Sequence, residues 1–377
     1  MTVRDLLFVG QYEAAAQALV DTRLASDPFR LMPPELRARM PPLPEPFRLF
    51  ASSLIMRDAP DHSRLRKLVQ PSFGPRAMEA LAPRIQRIAD QLLDAAEQQA
   101  EARGEHAPER RMDLLRAFAH PLPVAVISDL LGIPEEDRES VRTWAAFRAE
   151  SRNPAIIAET TQKFVAFSGY LRALFERKRQ APADDMISQM IHAQEDGDRL
   201  SEEELLSMIF LLYLAGHVTT VNLIASGTLA LLTHPSELAK VRANPELMKN
   251  AVEEILRYWG PLDTTLPRFA TENMVIGGVE IPRGETILVG LSSSNHDPQR
   301  FAQPEVFDIT REDANRHIAF GKGIHVCLGA PLARMEGDIA LTTLLARYPE
   351  LRLAVPAGEI RWKPGFLRAL EALPLAF

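Results

Sequence analysis

The chain has 377 residues, of which 46% are hydrophobic and 25% are charged, and its formal net charge is -7. This composition is typical of a soluble globular protein, and the negative charge argues against nucleic-acid binding. The single cysteine excludes an internal disulfide and fits a reducing compartment. The first thirty residues lack a basic segment followed by an apolar run, so they predict no secretory signal. We therefore expect a cytoplasmic protein.

The first predicted elements in chain order are short. The apolar run LLFV precedes a helix-like segment, YEAAAQALVD, and seven prolines between residues 27 and 50 predict a loop or short turns. A helix is predicted to begin at Asp61, and helical patterns follow at residues 77–103, 122–131 and 155–180. Helices therefore dominate the first half of the chain.

A long helix is predicted over residues 201–233, where Ser201 and Glu204 have the capping-box spacing. It would be roughly 50 Å long. Residues 208–232 contain no charged side chain, so by length alone this segment could span a bilayer. Its centre is polar and no Lys/Arg cluster flanks it, so a buried helix of a soluble protein explains it better. We expect no membrane association.

Strand patterns come late in the chain. Residues 273–291 contain three β-rich runs separated by turns, and residues 351–355 and the C-terminal segment predict further strands. Repeats, low-complexity tracts and linkers are absent from the sequence. We expect one mainly helical domain, residues 1–377, with a small β portion.

The only cysteine, Cys327, lies in the segment AFGKGIHVCLGAPLARMEGDIA. The helix predicted to follow would direct the positive end of its dipole at the sulfur and favour a thiolate. Nearby glycines allow a close approach to the backbone that a Cβ would block. From these residues alone, Cys327 could be an inert buried thiol, a nucleophile or a metal ligand. A nucleophile would need a histidine base and an orienting group, and only His325 is close in sequence.

The spacing of Phe320, Gly321, Gly323, His325, Cys327 and Gly329 is F-G-x-G-x-H-x-C-x-G. This pattern resembles the haem-binding loop of the cytochrome P-450 family, the haem-thiolate monooxygenases. The resemblance implies the cytochrome P-450 fold, with the long helix crossing the domain above a haem b. It makes Cys327 the iron ligand, whose thiolate promotes O–O cleavage. It also places Phe320, Gly321 and Gly329 beside the haem and makes His325 a partner of a haem propionate.

Three further residues match the family pattern for propionate binding. His62 and Arg66 form H-x-x-x-R, one helical turn apart, and Arg268 lies in LPRFA. In isolation the first two residues would be read as a solvated basic helix face. In the resemblance all three bind haem carboxylates, which favour cations with directional donors.

Glu254 and Arg257 form E-x-x-R, and the resemblance makes them a buried structural pair. The pattern alone carries little information, because Glu135/Arg138 and Glu176/Arg179 also match it. Most such pairs are solvated and contribute little to stability.

The segment LAGHVTT resembles the family signature of the long helix. Small residues at Ala215 and Gly216 would admit oxygen and substrate, and the Thr219 hydroxyl would join a proton relay. The alternative is that small and polar residues only kink a core helix. Val218 occupies the position of the usual Asp or Glu and cannot carry protons. Ordinary proton delivery is therefore in doubt, and peroxide-driven or oxidative-coupling chemistry is the alternative function.

The resemblance also implies partners. The chain has no nucleotide-binding fingerprint, so electrons would come from a separate ferredoxin with its reductase or from a flavodoxin-like protein. A basic patch for that partner is predicted at Arg64, Lys67, Arg316 and Lys322, although solvated surface charges explain the same residues. The substrate would be a hydrophobic small molecule of secondary metabolism, in a pocket lined by Phe29, Phe47, Phe50, Leu211, Ala215, Leu262, Leu266 and Phe366.

Two other readings stay open at this level, a haem-free cysteine hydrolase or transferase and a non-catalytic helical binding protein. His62 also comes a few dozen residues earlier than the family usually shows. We therefore expect a shortened N-terminal region relative to the family.

Overall fold

The computed structural model describes residues 6–41, 43–144, 154–193, 199–365 and 367–377. Its α-helices in chain order are α1 (Tyr12–Val20), α2 (Pro34–Ala38), α3 (Glu45–Ala51), α4 (Asp61–Val69), α5 (Pro75–Ala102), α6 (Pro121–Leu131), α7 (Arg138–Trp144), α8 (Pro154–Gln180), α9 (Met186–His192), α10 (Glu202–Thr233), α11 (Pro235–Ala243), α12 (Met248–Trp259), α13 (Leu291–Asn295) and α14 (Ala330–Arg347). The strands are β1 (Leu7–Val9), β2 (Leu24–Ala25), β3 (Arg111–Asp113), β4 (Arg268–Ala270), β5 (Met274–Ile276), β6 (Val279–Ile281), β7 (Thr286–Val289), β8 (Arg352–Leu353), β9 (Trp362–Lys363), β10 (Ala369–Leu370) and β11 (Pro374–Ala376). The predicted class, mainly helical with a small β portion, is confirmed.

The long helices begin and end within two residues of the predicted positions, because their apolar periodicity is strong. The proline-rich segment differs from the prediction. It contains two short helices, α2 and α3, each with a proline in its first turn, Pro34 and Pro46. The first turn tolerates proline because its N–H groups have no partner inside the helix.

Helix α10 starts with the predicted capping box. The Ser201 N–H donates to Glu204 Oε2 at 2.8 Å, and the Glu204 N–H donates to Ser201 Oγ at 3.2 Å. The helix is apolar enough to cross a membrane, with a mean hydropathy of 1.7, but 61% of that apolar window is buried inside the protein. Burial in the protein core therefore accounts for its apolar composition.

The described residues divide into two compact units. The first contains the chain up to Leu24, Pro75–Pro123 and His217–Phe377. In it, β1 pairs in parallel with β7, and β4 pairs antiparallel with β7. Helices α10, α12 and α14 meet at Gly227, where an added Cβ would lie 2.9 Å from Ile255 Cδ1 and 3.2 Å from Leu341 Cδ1.

The second unit contains Ala25–Gly74 and Val124–Gly216. Its core includes the first half of α10, where Phe210 meets Phe164 of α8 edge-on with ring centroids 4.7 Å apart. Helix α3 is tied to α10 by the Ser207 hydroxyl, which donates to the Leu49 carbonyl oxygen at 2.6 Å.

The cysteine loop and the candidate active site

The cysteine loop, residues 320–329, is a turn held by its own backbone. The Cys327 N–H donates to the Phe320 carbonyl oxygen at 2.9 Å, which closes the loop. Gly321 and Gly323 both have φ of 71°, in the left-handed region that favours glycine. At Gly323 an added Cβ would also lie 2.7 Å from the Leu19 carbonyl oxygen. The motif therefore specifies glycine for two reasons at this position, dihedral angle and space.

The opposite side of the same loop is open. Cys327 is exposed and forms no disulfide. A Cβ added at Gly329 would meet no heavy atom of the described residues within 4 Å. Helix α14 begins at Ala330, three residues after Cys327, and the positive end of a helix dipole favours negative charge near it. An accessible thiol beside bare backbone is the donor and the shape that a flat, thiolate-ligated group requires.

A polar network that the sequence did not predict contacts the start of the loop at Phe320. Arg334 of α14 donates to Glu253 at 2.6 Å and 3.0 Å, and its guanidinium lies 4.6 Å from the centre of the Phe320 ring. His317 Nδ1 accepts the Ala319 N–H at 3.1 Å, so Nε2 carries the hydrogen that it donates to Glu253, also at 3.1 Å. Helix α12 thereby fixes the position of the Phe320 ring. No local signal predicts this, because Glu253 is 67 residues before Phe320 in the chain.

Glu253 is strongly favoured as a carboxylate. Burial by itself raises the pKa of its carboxyl group, but the hydrogen bonds from His317 and Arg334 outweigh it and lower the pKa to about 2. A permanent negative charge behind the loop keeps both donors in place.

The predicted pair Glu254 and Arg257 is completely buried, with both side chains 0% exposed. Arg257 donates to the two carboxylate oxygens at 2.7 Å and 2.8 Å. Its remaining N–H groups donate to the carbonyl oxygens of Asn295 at 3.0 Å, Pro304 at 2.8 Å and Val306 at 3.2 Å. The pair therefore joins α12 to the chain segment before the cysteine loop.

Two other occurrences of the same pattern have different environments. Glu176 and Arg179 form an ion pair on the surface of α8. Arg138 bonds Asp129 rather than Glu135. Tertiary burial, rather than the four-residue pattern, distinguishes Glu254/Arg257 from the rest.

Near its centre, helix α10 has one face that is less buried than the others. Leu211, Val218 and Thr219 are half-buried and Ala215 is exposed. These positions, at i, i+4, i+7 and i+8, share one side of a helix. Val218 therefore lies on the same accessible side as Thr219.

The neighbouring residues have other roles. Gly216 faces α6, where an added Cβ would lie 3.1 Å from Ile127 Cδ1, so its small size serves close helix packing. His217 is 8% exposed, and its ring meets His120 edge-on at 6.0 Å. His217 thus points about 100° away from Val218 around α10 and is buried, so it does not replace a carboxylate at that position.

The three predicted propionate ligands outside the cysteine loop lie on two units. In the first unit, Arg268 lies on β4, is half-buried, and is paired with Ile287 in the sheet register. In the second, His62 and Arg66 share one face of α4, and His62 is 1% exposed. A fully solvated basic face, the alternative from sequence, does not describe this buried histidine.

The predicted pocket residues have mixed environments. Phe50 and Leu266 are half-buried, whereas Phe47 is 53% exposed. Leu262 forms a β-bridge with Leu367, and its side chain packs on the core around the sheet. Phe366 lies outside the described residues.

The residues of the predicted basic patch also have other contacts. Arg64 is paired with Glu204 in the second unit. In the first unit, Lys322 Nζ lies 5.6 Å from the centre of the Tyr12 ring, and the Tyr12 hydroxyl donates to the Arg316 carbonyl oxygen at 2.6 Å. The patch stays a prediction.

Comparison with known proteins agrees with this geometry. The sequence profile of the cytochrome P-450 family matches residues 37–353. The polyketide biosynthesis cytochrome P-450 PksS of Bacillus subtilis is 43% identical over 371 residues, which cover 98% of this chain and 88% of the relative.

Two solved structures are similar over nearly the whole chain. A myxobacterial cytochrome P-450 in complex with myristic acid has a TM-score of 0.87 at 42% identity and covers 99% of this chain and 90% of its own. P-450 BioI in complex with an acyl carrier protein ligated to hexadec-9Z-enoic acid has a TM-score of 0.86 at 38% identity, over 98% and 92%. The chain therefore belongs to the cytochrome P-450 family of haem-using monooxygenases.

Proposed function

We propose that this protein is a soluble, cytoplasmic monooxygenase of secondary metabolism that carries haem b in a single catalytic domain and oxidises a hydrophobic small molecule. The observation that carries the proposal is the exposed Cys327 thiol on a backbone-closed loop, beside open space at Gly329. The donor set fits a haem, because a thiolate would hold the iron while cationic side chains would hold the carboxylates.

Each predicted haem-binding residue has a role in this proposal. Cys327 would be the only protein ligand of the metal. His62, Arg66, Arg268 and His325 would hold the two propionates, and Phe320, Gly321 and Gly329 would line the face beside the sulfur. The bound haem would supply oxygen activation and insertion of one oxygen atom into a C–H or C=C bond.

The protein itself would orient substrate and deliver protons. Ala215 has a small side chain and is exposed on the accessible side of α10. The Thr219 hydroxyl, four residues later, would hold a proton or water molecule there. Leu211 extends the same side with apolar surface, which favours hydrophobic substrates. The electrons would come from a separate ferredoxin with its reductase or from a flavodoxin-like protein.

The nature of the substrate is inferred from the relatives. The PksS relative is named for polyketide biosynthesis, and the two similar structures hold a fatty acid and a fatty acyl group on a carrier protein. We infer an acyl-chain or polyketide substrate that is hydroxylated or epoxidised.

The decisive experiment is the absorption spectrum of the reduced protein with carbon monoxide. Thiolate ligation should give the strongly red-shifted band of this family, and Cys327→Ser should abolish it. Ile324→Ser is the matched control, because Ile324 is 43% exposed in the same loop and carries no donor. A correctly folded protein that binds no haem when haem is supplied would refute the proposal.

A second function, peroxide-driven oxidation or oxidative coupling, is favoured by one observation. Val218 brings an apolar side chain to the accessible side of α10, and the neighbouring His217 is buried. Turnover supported by hydrogen peroxide at least as fast as turnover supported by O2 and a redox partner would favour this second function.

A further inference from the structure

A cavity of about 250 Å³ lies within the second unit, between residues 27 and 57. We name it the arginine pocket, because Arg37, Arg48 and Arg57 line it. Phe29 and Met40 contribute apolar lining. The cavity combines a hydrocarbon surface with three guanidinium groups.

Positive charge dominates this lining. Arg37 lies over the Phe29 ring, 5.8 Å from its centre. Among the described residues, no carboxylate lies within ion-pair distance of Arg37 or Arg57. Only Arg48 is compensated, by Glu203 Oε2 at 2.5 Å.

The nearby carboxylates of Asp27 and Glu203 accept hydrogen bonds from groups other than Arg37 and Arg57. Asp27 is the one acidic residue in the lining, and its Oδ1 accepts the Phe29 N–H at 2.8 Å. Glu203 accepts from the Ser52 hydroxyl at 3.4 Å as well as from Arg48. A ligand that enters the pocket would therefore meet the guanidinium groups of Arg37 and Arg57, which form no ion pair among the described residues, together with the single carboxylate of Asp27.

The size of the cavity limits what it holds. Pockets that enclose a whole small molecule usually measure about 300–1,000 Å³. A cavity of about 250 Å³ accommodates one end of a larger ligand. Guanidinium groups bind carboxylate and phosphate through paired N–H donors, and the apolar lining favours hydrocarbon next to that anion.

We propose that the arginine pocket binds the anionic end of an acyl substrate, either the carboxylate of a fatty acid or the phosphate of a pantetheine arm that carries the acyl group, and thereby fixes the direction in which substrate lies. This inference rests on the proposed function, since the acyl chain is the molecule that the enzyme oxidises.

The position of the pocket restricts the site of oxidation. Arg48 contacts Glu203, and Leu49 contacts Ser207, so α3 lies against the start of α10. Along α10, Ala215 comes twelve residues after Glu203 and eight residues after Ser207. At a rise of 1.5 Å per residue, the contacts lie roughly 18 Å and 12 Å from Ala215 along the helix. Only carbons remote from the anion would reach the accessible side of α10.

The test compares two ligands with the same chain length, one with an anionic head group and one with a neutral head group. Binding of dodecanoate and dodecanol to the haem-loaded enzyme is measured by calorimetry and by the spin-state change of the ferric iron. We expect roughly tenfold tighter binding of the acid, as for one well-formed charged contact. Arg37→Gln/Arg57→Gln should bind both ligands equally, at the affinity of the alcohol. Arg39→Gln, an exposed arginine outside the pocket lining, should keep the preference.

A second arm distinguishes the source of the anion. Dodecanoyl-pantetheine is compared with its 4′-phosphate in both measurements. Preference for the phosphate supports a carrier-derived thioester, and preference for the free acid supports a fatty acid. No preference in either arm, or an unchanged preference in the double variant, would overturn the inference.

The carbon monoxide spectrum separates this test from that of the proposed function. A normal red-shifted band together with no charge preference would reject the arginine pocket alone. Absence of the band would reject the proposed function, while calorimetry would still decide whether the pocket prefers anions.

Discussion

Replacement of Arg257 by leucine should sharply reduce the free energy of unfolding. The change removes five hydrogen bonds, two to Glu254 and three to the carbonyl oxygens of Asn295, Pro304 and Val306. It leaves a carboxylate in a site that is 0% exposed. Breaking one side of a buried ion pair typically costs about 3–5 kcal/mol.

The structure narrows this range. Glu254 would still accept the Asp308 N–H at 3.0 Å and would stay 3.3 Å from Arg311 Nε. These contacts compensate part of the charge, and the Val306 carbonyl oxygen would still accept from Arg311 at 3.0 Å. The carbonyl oxygens of Asn295 and Pro304 would lose the Arg257 donor. We expect a loss of about 4 kcal/mol, out of about 5–15 kcal/mol for a typical domain. Arg257→Lys keeps the charge but loses the paired geometry, so its loss should be smaller, about 2 kcal/mol.

Urea unfolding followed by circular dichroism measures these differences, with the haem content of each variant determined alongside, because a bound ligand raises apparent stability. Arg179→Leu is the matched control, since Arg179 pairs with Glu176 at the same spacing on the surface. Its loss should be below about 1 kcal/mol. Equal losses for Arg257→Leu and Arg179→Leu would show that burial of the pair has no energetic consequence and would refute the reasoning.

Three further predictions concern the loop and the long helix. The pKa of the Glu253 carboxyl is lowered from 4.5 to about 2. The ionised carboxylate therefore stabilises the folded protein fully above pH 4.5, and this contribution is lost as the pH falls toward 2. The loss should reach about 3 kcal/mol, and in urea titrations between pH 6 and pH 2.5 Glu253→Gln should lack this pH dependence. Gly323→Ala should lower stability by about 1–3 kcal/mol, because φ is 71° and the Cβ would meet the Leu19 carbonyl oxygen; unchanged thermal unfolding would contradict this. Val218→Asp should raise the fraction of electrons that reach product, and unchanged coupling in this variant would argue against a proton relay on α10. Thr219→Ala should impair O2-driven turnover more than peroxide-driven turnover, and equal losses would argue against the same relay.

Much of the fold could be read from local pattern. The long helices have strong apolar periodicity, and the Ser201/Glu204 capping box fixed the start of α10. The helices α2 and α3 were missed, because prolines that interrupt a helix interior also begin a helix in its first turn.

The candidate site divides in the same way. The spacing around Cys327 was sufficient to indicate the family, and two of its glycines are required by a left-handed backbone. Glu253, His317 and Arg334 carried no local signal, because their contacts join segments far apart in the chain. A site formed by neighbouring residues can be predicted from the sequence, whereas side-chain contacts between distant segments cannot.

The sequence by itself determined the thiol, its glycine-bordered loop, the long apolar helix and the family they indicate. These features depend on backbone dihedral angles, helix caps and residue spacing, all of which act over a few neighbouring residues. Only the tertiary structure decided which E-x-x-R pair is buried, that Gly216 faces α6 and that three arginines line one cavity. The physical reason is that burial and charge compensation depend on which distant segments come into contact, and a local pattern does not contain that information.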